Sequence, residues 1–446
     1  MKNLPTISRR EVFRNRKRIL KNPLPFHREN FEKLGDTFRV KVILGPAVVF
    51  TRDARIIAHV LQKNHKNYQK SALQTRDLAR YIGKGILTAT GEHWRVHRRM
   101  IQPAFHRKKL AGLFDIMKTT IAAELKRIKP GEVSDVFPLM GDLAFQVVAR
   151  SLFSGSDITK QMKRLQQITE DNQRMLIQEM RQPYLKWWFH LSGRIKRHLK
   201  LAEEGRNLLN ELIERRIGSK QQPDDLLDML LTSRYEDGSA MPRRQLIDEV
   251  LILFTAGHET TANALSFTLH LLANHPEIQE KLYKEVNEVD WDSGDLLGEL
   301  PKLQYTKQCI EEALRLYPPV YVIDRVTVQE DKAGSLRFPK ETLVLLSIFE
   351  LHRSGKHWEE PEKFNPERFA PDRKKDLSRV YYPFGGGPRM CVGNNFAMYE
   401  MMIALGLIAK QYRLESPLQE LELDPLISLK PKSVPIRFQL RQPLHV

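Results

Sequence analysis

The stretch Phe384-Gly385-Gly386-Gly387-Pro388-Arg389-Met390-Cys391-Val392-Gly393 constrains this chain more than any other. It holds one of only two cysteines. Glycines lack Cβ and accept positive φ, so the backbone here can turn tightly and approach something flat and bulky. Apolar helix-forming residues follow from Phe396 to Ala409, which sets Cys391 just ahead of a helix N-terminus. Amides and the helix dipole at that point favour a thiolate over a thiol. A single cysteinate near a cationic arginine, Arg389, suits axial ligation of haem iron. The same residues, taken alone, also describe a glycine-rich turn around an inert buried cysteine.

With 446 residues, 41% of them hydrophobic, the chain has material for two or three ordinary domains or one large helical enzyme. It contains no run of about 18 apolar residues, so no membrane span is expected. Met1 to Lys21 is basic and lacks an apolar stretch, which excludes a signal peptide. Two cysteines provide no disulfide framework and suit a reducing compartment. Lys plus Arg (72) exceeds Asp plus Glu (54), a net charge of +18 that favours an acidic protein, an anionic membrane surface or nucleic acid. Nucleic-acid binding would rest on that charge alone, because no aromatic-basic or zinc-ligand motif accompanies it.

Taken in order, Phe38 to Val42 alternates, Gly45-Pro46 turns, and Ala47 to Phe50 returns: a β-hairpin. Asp53 caps a short helix through Leu61. Gly83 and Gly85 mark a loop. Residues 110 to 217 read as helices, broken near Lys129-Pro130-Gly131 and Gly155. A further break holds Pro183-Tyr184-Leu185-Lys186-Trp187-Trp188-Phe189, an aromatic cluster that suits core packing or, alternatively, a membrane-touching or substrate-entry lid. Gly218 to Pro223 is a surface linker. The C-terminus alternates at Ile436, Phe438 and Leu440, which suggests a final hairpin strand.

Three further stretches carry chemistry. Trp94 and Arg98 lie four apart, on one helix face, where an indole N–H and a guanidinium can together hold a carboxylate. A helical pattern from about Arg243 to Ala273 spans roughly 45 Å at 1.5 Å per residue. Its middle, Ala256-Gly257-His258-Glu259-Thr260-Thr261, places a glycine and two threonines where they are locally unfavourable, a departure that often marks a working site. Gly257 would let a flat ligand or O2 lie close, Glu259 would relay protons, and Thr260 would offer a hydroxyl. His258 is read as packing or solvent-facing. Glu312 and Arg315, three apart, face together on a helix that ends at Tyr317-Pro318-Pro319. Cys309 on that helix reads as a packed free thiol.

These stretches, in this order, resemble the cytochrome P-450 family. Phe384-x-x-Gly387-x-Arg389-x-Cys391-x-Gly393 matches its haem-ligand loop at every fixed position. Trp94-x-x-x-Arg98 is similar to its propionate-binding helix. Ala256-Gly257-x-Glu259-Thr260-Thr261 is similar to its oxygen-side motif. Glu312-x-x-Arg315, with Arg368 in Pro361-Glu362-Lys363-Phe364-Asn365-Pro366-Glu367-Arg368-Phe369, is similar to its structural ion network. The resemblance covers essentially the whole chain.

The resemblance implies one domain over 1–446, mainly α with small β-sheets. A large helical lobe and a smaller β-rich lobe (mainly 30–60, 320–350 and 425–441) would enclose a buried haem b, iron protoporphyrin IX. Cys391 would ligate the iron, and Trp94, Arg98 and Arg325 would hold propionates. Phe384, Gly387, Arg389 and Gly393 would shape the ligand loop. Ala256 and Gly257 would lie against the porphyrin, and Glu259 and Thr260 would form the acid–alcohol pair. The reaction implied inserts one oxygen atom of O2 into a C–H or C=C bond of a small apolar substrate, with fatty-acid-like, terpenoid and carotenoid molecules as classes. Leu316-Tyr317-Pro318-Pro319 is closer to the branch acting on fatty acids and other long apolar molecules. Electrons would come from NAD(P)H through a ferredoxin or flavodoxin and its reductase. That partner would dock on Arg95, His97, Arg99, Arg107, Lys108 and Lys109. The 55 residues after Cys391 leave no room for a fused reductase, and the N-terminal anchor of microsomal members is missing. A bacterial-type, cytoplasmic, monomeric enzyme with at most peripheral membrane contact is therefore expected. A peroxide-driven hydroxylase and a non-catalytic haem sensor or carrier are the alternatives.

Overall fold

The computed structural model describes residues 4–42, 47–154, 158–219 and 223–442. Eight helices matter for the site: α1 Gly91–Ile101, α2 Val136–Leu152, α3 Thr159–Arg181, α4 Lys186–Leu191, α5 Arg194–Ser219, α6 Arg243–Ala273, α7 Gln304–Leu316 and α8 Asn394–Gln411. Helix α6 is the axis of the helical part. Pro242 precedes it, and beyond its end the Asn274 amide donates back to the His270 carbonyl. Its length is buried against α2, α7 and α8, so tertiary packing holds a helix that carries a mid-sequence glycine and two threonines.

The α2–α6 crossing is dense. The Phe145 ring meets Phe254 edge-on at 4.6 Å and His258 at 5.7 Å. His258 is buried and its Nδ1 lies 2.9 Å from the Phe254 carbonyl, so it packs as the sequence suggested. A Cβ on Gly257 would come within 3.2 Å of Val148 Cγ2. The smallness of Gly257 therefore serves the approach of two helices.

The main sheet has six strands: β1 Thr6–Ile7, β2 Thr37–Val40, β3 Val48–Thr51, β4 Tyr68–Gln69, β5 Val322–Thr327 and β6 Leu343–Ser347. Their spatial order is β1-β2-β3-β6-β5-β4. The expected hairpin is present as β2 against β3, with Phe38 opposite Phe50 and the two rings stacked. Its Gly45-Pro46 turn lies outside the described residues, as do Gly155 and the middle of the 218–223 linker. Asp53 caps its helix by accepting from the Arg55 and Ile56 amides. Strand β3 pairs in parallel with β6, which brings the 320–350 segment onto the N-terminal hairpin.

The C-terminal strand Pro435–Leu440 is not one arm of a hairpin. It lies between Tyr412–Glu415 and Val133–Asp135, antiparallel to both. Ile436 and Phe438 are buried, and partners from distant segments occupy both edges, a pairing that local alternation does not reveal.

Candidate haem-thiolate site

The cysteine loop is closed by three backbone bonds. Gly385 N–H donates to the Tyr382 carbonyl at 3.0 Å, Met390 N–H to Gly387 at 3.0 Å, and Cys391 N–H to Phe384 at 2.9 Å. Gly387 has φ +68°, and a Cβ there would lie 1.9 Å from the Leu61 carbonyl oxygen, so no other residue fits. Gly393 has ordinary negative φ. What it contributes is an amide that hydrogen-bonds the Cys391 sulfur. Phe384 packs its half-buried ring on the main helical core.

Cys391 keeps accessible surface, although protein surrounds it densely enough for desolvation to push its thiol up. The Gly393 amide and the Arg98 guanidinium pull the other way, toward thiolate. Ala256 is likewise exposed in the middle of α6, whose neighbours on both sides are mostly buried.

Four cations gather near the loop. Arg98 donates to the Met390 carbonyl at 2.7 Å. Arg389 donates to the Ala89 carbonyl at 3.0 Å, and its guanidinium stands 4.2 Å over the Trp94 ring. Arg325 takes an inward-facing register of β5, between buried Ile323 and Thr327, and its guanidinium donates to the Asp324 carbonyl. Lys70, directly after β4, donates to the Leu87 carbonyl. Burial drives the Lys70 ammonium down to about 7, with Arg325 and Arg389 pushing the same way. Burial and Arg325 lower Arg389 to about 10. None of the four is ion-paired among the described residues. One buried cation, Arg325, and three half-buried ones without carboxylate partners among the described residues call for an anion, and their fork-and-point donors suit a group bearing two carboxylates. This donor set, with the accessible cysteine, fits a haem. Lys70 belongs to no sequence motif, which is why sequence reading missed it.

On α6, Thr260 and Thr261 each bond back to the carbonyl four residues earlier, at 2.9 Å. Glu259 is held from two sides. Gln173 of α3 donates to its Oε2 at 2.7 Å, and Ser428 donates to its Oε1 at 2.7 Å. Ser428 in turn accepts from Asn263 at 3.0 Å. Gln173 also borders a cavity with Tyr81, Thr169, Leu176 and Leu251. Gln173 and Ser428 were not foreseen, since each lies far from Glu259 in sequence.

The ion network forms as a buried cluster. Arg315 donates to both Glu312 oxygens, at 2.7 and 2.9 Å, and to the His352 and Pro361 carbonyls at 2.7 Å. Arg368 reaches Glu312 at 3.3 Å, and the Asn365 amide donates to the same oxygen at 2.9 Å. Cys309 is buried and burial raises its thiol, as a packed residue should behave.

Burial overturns one expectation and bears on the two readings of the aromatic cluster. His97 lies inside, 3.2 Å from Glu249, and cannot belong to a surface docking patch, although Arg95, Arg99, Arg107, Lys108 and Lys109 are exposed. Of the aromatic rings, Phe189 is buried while Tyr184, Trp187 and Trp188 are exposed, which speaks against core packing for most of the cluster.

The family model described as Cytochrome P450 matches residues 10–438. Cyclooctat-9-en-7-ol 5-monooxygenase of Streptomyces melanosporofaciens is 31% identical over 386 residues, 84% of this chain and 82% of that protein. Pentalenene oxygenase of Streptomyces avermitilis is 30% identical over 401 residues, 89% of this chain and 87% of that protein. The crystal structure of the cytochrome P450DA heme domain superposes with a TM-score of 0.88 at 22% identity, covering 99% of this chain and 98% of that one. No helix among the described residues is long and apolar enough to cross a membrane. The fold, the thiolate loop and these relatives make the chain a member of the cytochrome P450 family, a haem-iron monooxygenase.

Proposed function

We propose that this protein is a single-domain enzyme over 1–446 that oxygenates a small apolar substrate at the expense of O2, with Cys391 as the iron ligand. When bound, the haem supplies dioxygen activation, so that one oxygen atom enters a C–H or C=C bond and the other leaves as water, with two electrons and two protons consumed. Trp94, Arg98, Arg325, Arg389 and Lys70 hold the propionates. Phe384, Gly387 and Gly393 fix the loop so that the sulfur meets an amide donor and a helix N-terminus. Ala256 and Gly257 would lie against the porphyrin, and Gly257 also sets how closely α6 approaches α2.

Glu259 is the proton donor and Thr260 orients water. The Thr260 hydroxyl spends its proton on the Ala256 carbonyl, which leaves its oxygen lone pairs to accept from a water. Glu259, pinned by Gln173 and Ser428, delivers protons from a fixed position. Glu312, Arg315 and Arg368 keep the scaffold behind the loop in place and take no part in proton transfer.

The substrate is a hydrocarbon-rich molecule of the terpenoid, carotenoid or fatty-acid-like kind. The two Streptomyces relatives, whose names specify cyclooctat-9-en-7-ol and pentalenene, favour the ring-bearing hydrocarbons among these. Electrons reach the site from NAD(P)H through a ferredoxin or flavodoxin and its reductase, steered by Arg95, Arg99, Arg107, Lys108 and Lys109. The enzyme works as a cytoplasmic monomer.

The observation that carries this reading is the accessible Cys391 sulfur, held by the Gly393 amide and bordered by cations that have no carboxylate partner among the described residues. The test is the ferrous carbonyl spectrum of the purified protein, followed by turnover of apolar candidates with a surrogate ferredoxin and reductase. A thiolate-type band and NAD(P)H-dependent product support it. An imidazole-type band removes Cys391 from the iron. Product with peroxide alone favours the peroxide-driven reading, and a thiolate band with no turnover favours a sensor or carrier.

A further inference from the structure

We propose that Asp248 and Glu249, two buried carboxylates near the start of α6, are positioning residues for the cations that face the haem propionates; this rests on the haem reading of that cation set. The connection is the segment Gly83-Lys84-Gly85-Ile86-Leu87-Thr88-Ala89, which leads into α1. Its glycines read, from sequence, as nothing more than a loop. In the fold the segment has two working faces.

One face meets α6. The Lys84 amide donates to Asp248 Oδ2 at 3.0 Å, and the Ile86 amide to Glu249 Oε2 at 2.9 Å. Gln245, one turn earlier, donates to the Lys84 carbonyl at 2.8 Å and to Glu249 Oε1 at 2.9 Å. Gly83 and Gly85 permit this approach. A Cβ on Gly85 would stand 2.5 Å from Glu249 Oε2, and one on Gly83 would collide with the Asp248 carboxyl. Each carboxylate is also backed from another helix. Buried Arg206 of α5 reaches Asp248 at 3.3 Å, and His97 Nδ1 of α1 lies 3.2 Å from Glu249. Glu249 has no exposed surface. A buried carboxylate is costly unless donors occupy its oxygens, so the segment's amides are held firmly in place.

The other face meets the cations. The Leu87 carbonyl accepts from the Lys70 ammonium, and the Ala89 carbonyl from Arg389 at 3.0 Å. Between its faces the segment braces itself. The Thr88 hydroxyl donates to the Gly83 carbonyl at 2.7 Å, and the Ala89 amide to the Gly85 carbonyl at 2.8 Å. A short run of braced backbone thus joins the α6 carboxylates to Lys70 and Arg389. His97 adds a second route, since α1 also carries Trp94 and Arg98. Cations fixed beside the propionates favour the ferrous haem by stabilising its added electron, and they slow haem release. Loosening the segment relaxes both effects. A group that only stabilised the fold would act on the haem independently of Lys70, whereas one acting through this segment would not.

The test compares the holoprotein variants Glu249→Gln, Gly85→Ala and Gln245→Met, each alone and combined with Lys70→Met. Glu249→Gln removes the charge at nearly constant shape. Gly85→Ala forces the segment off the carboxylate without changing any charge. Gln245→Met, at a half-buried position, severs two bonds and decides the matter if the other two variants do not fold. Haem release into excess apomyoglobin should be about tenfold faster for Glu249→Gln and Gly85→Ala, and about threefold faster for Gln245→Met. The reduction potential should fall, and the ferrous carbonyl band should stay of the thiolate type. In the Lys70→Met background each change should accelerate release much less, because members of one network do not act independently. Accelerations that multiply fully with that of Lys70→Met would overturn the proposal. So would lowered melting points with haem release and potential unchanged. A wild type without a thiolate-type carbonyl band would instead remove the haem reading itself, a result distinct from both.

Discussion

Gln173 donates to Glu259 at 2.7 Å, from the helix over the cavity to the helix that crosses the core. The carboxylate at the middle of α6 is thus tied to α3, and any movement of α3 on substrate entry changes the grip on Glu259. Gln173→Leu keeps the volume and removes the donor. It should leave the ferrous carbonyl spectrum intact, slow turnover several-fold and divert electrons from product to peroxide. It should also change the solvent isotope effect on turnover. Glu259→Gln removes the acid itself and should cost on the order of 10²-fold or more in rate. If Gln173→Leu matches the wild type in coupling and isotope effect, Gln173 merely packs.

Lys70 links haem retention to pH. In the haem-free chain its ammonium is held down at about 7 by burial and by Arg325 and Arg389. An unfolded lysine titrates near 10.4, so between those values the unfolded chain binds more protons and apoprotein stability from this group rises with pH. Two carboxylates at the site would restore the charge, so haem binding takes up a proton above pH 7 and weakens as pH rises. Haem titration of apoprotein at pH 6, 7.5 and 9 should show this loss, and Lys70→Met should flatten it. An unchanged slope in Lys70→Met would place Lys70 outside the propionate site.

The Glu312 network should rank its members by burial. Arg315 has no exposed side-chain surface and satisfies both Glu312 oxygens, so Arg315→Ala leaves a buried carboxylate uncompensated, at about 3–5 kcal/mol. Arg315→Lys loses the paired geometry and should rescue little. Arg368 is farther, at 3.3 Å, and partly exposed, and Arg368→Ala should cost less. Thermal unfolding and haem content of the three variants test the order. Arg368→Ala matching Arg315→Ala would refute it.

Local pattern made some of this architecture legible and not the rest. The Cys391 loop, α6 and the Glu312 helix could be read because glycine spacing, helical periodicity and i,i+3 placement are local properties. The grip on Glu259 could not, because Gln173 and Ser428 approach it from 86 and 169 residues away. The helix contact of Gly257 was not legible either, because a glycine in a helix does not announce which neighbour it admits, and that neighbour is Val148. His97 looked like one more surface cation in a basic run, yet helical geometry turns it inward to Glu249 while Arg95 and Arg99 point out. Lys70 gave no signal, since its meaning arises only when β4 pairs with β5 and brings it to Arg325.

Glu400, on α8 nine residues beyond the cysteine, is fully buried with neither carboxylate oxygen bonded to any described group. Burial alone raises its carboxyl well above the usual range, so it folds as the neutral acid. Its unfolded value is near 4.3. Above that pH the folded state binds a proton that the unfolded state has lost, so this group's contribution falls as pH rises, by about 1.4 kcal/mol per unit until the folded carboxyl itself ionises. Glu400→Gln is neutral at every pH and nearly isosteric. It should match the wild type near pH 4.5 and exceed it progressively toward pH 8, with an unchanged carbonyl spectrum. Thermal unfolding midpoints across that range decide it. A Glu400→Gln protein less stable than the wild type at pH 8 would mean that the ionised carboxylate has a stabilising partner.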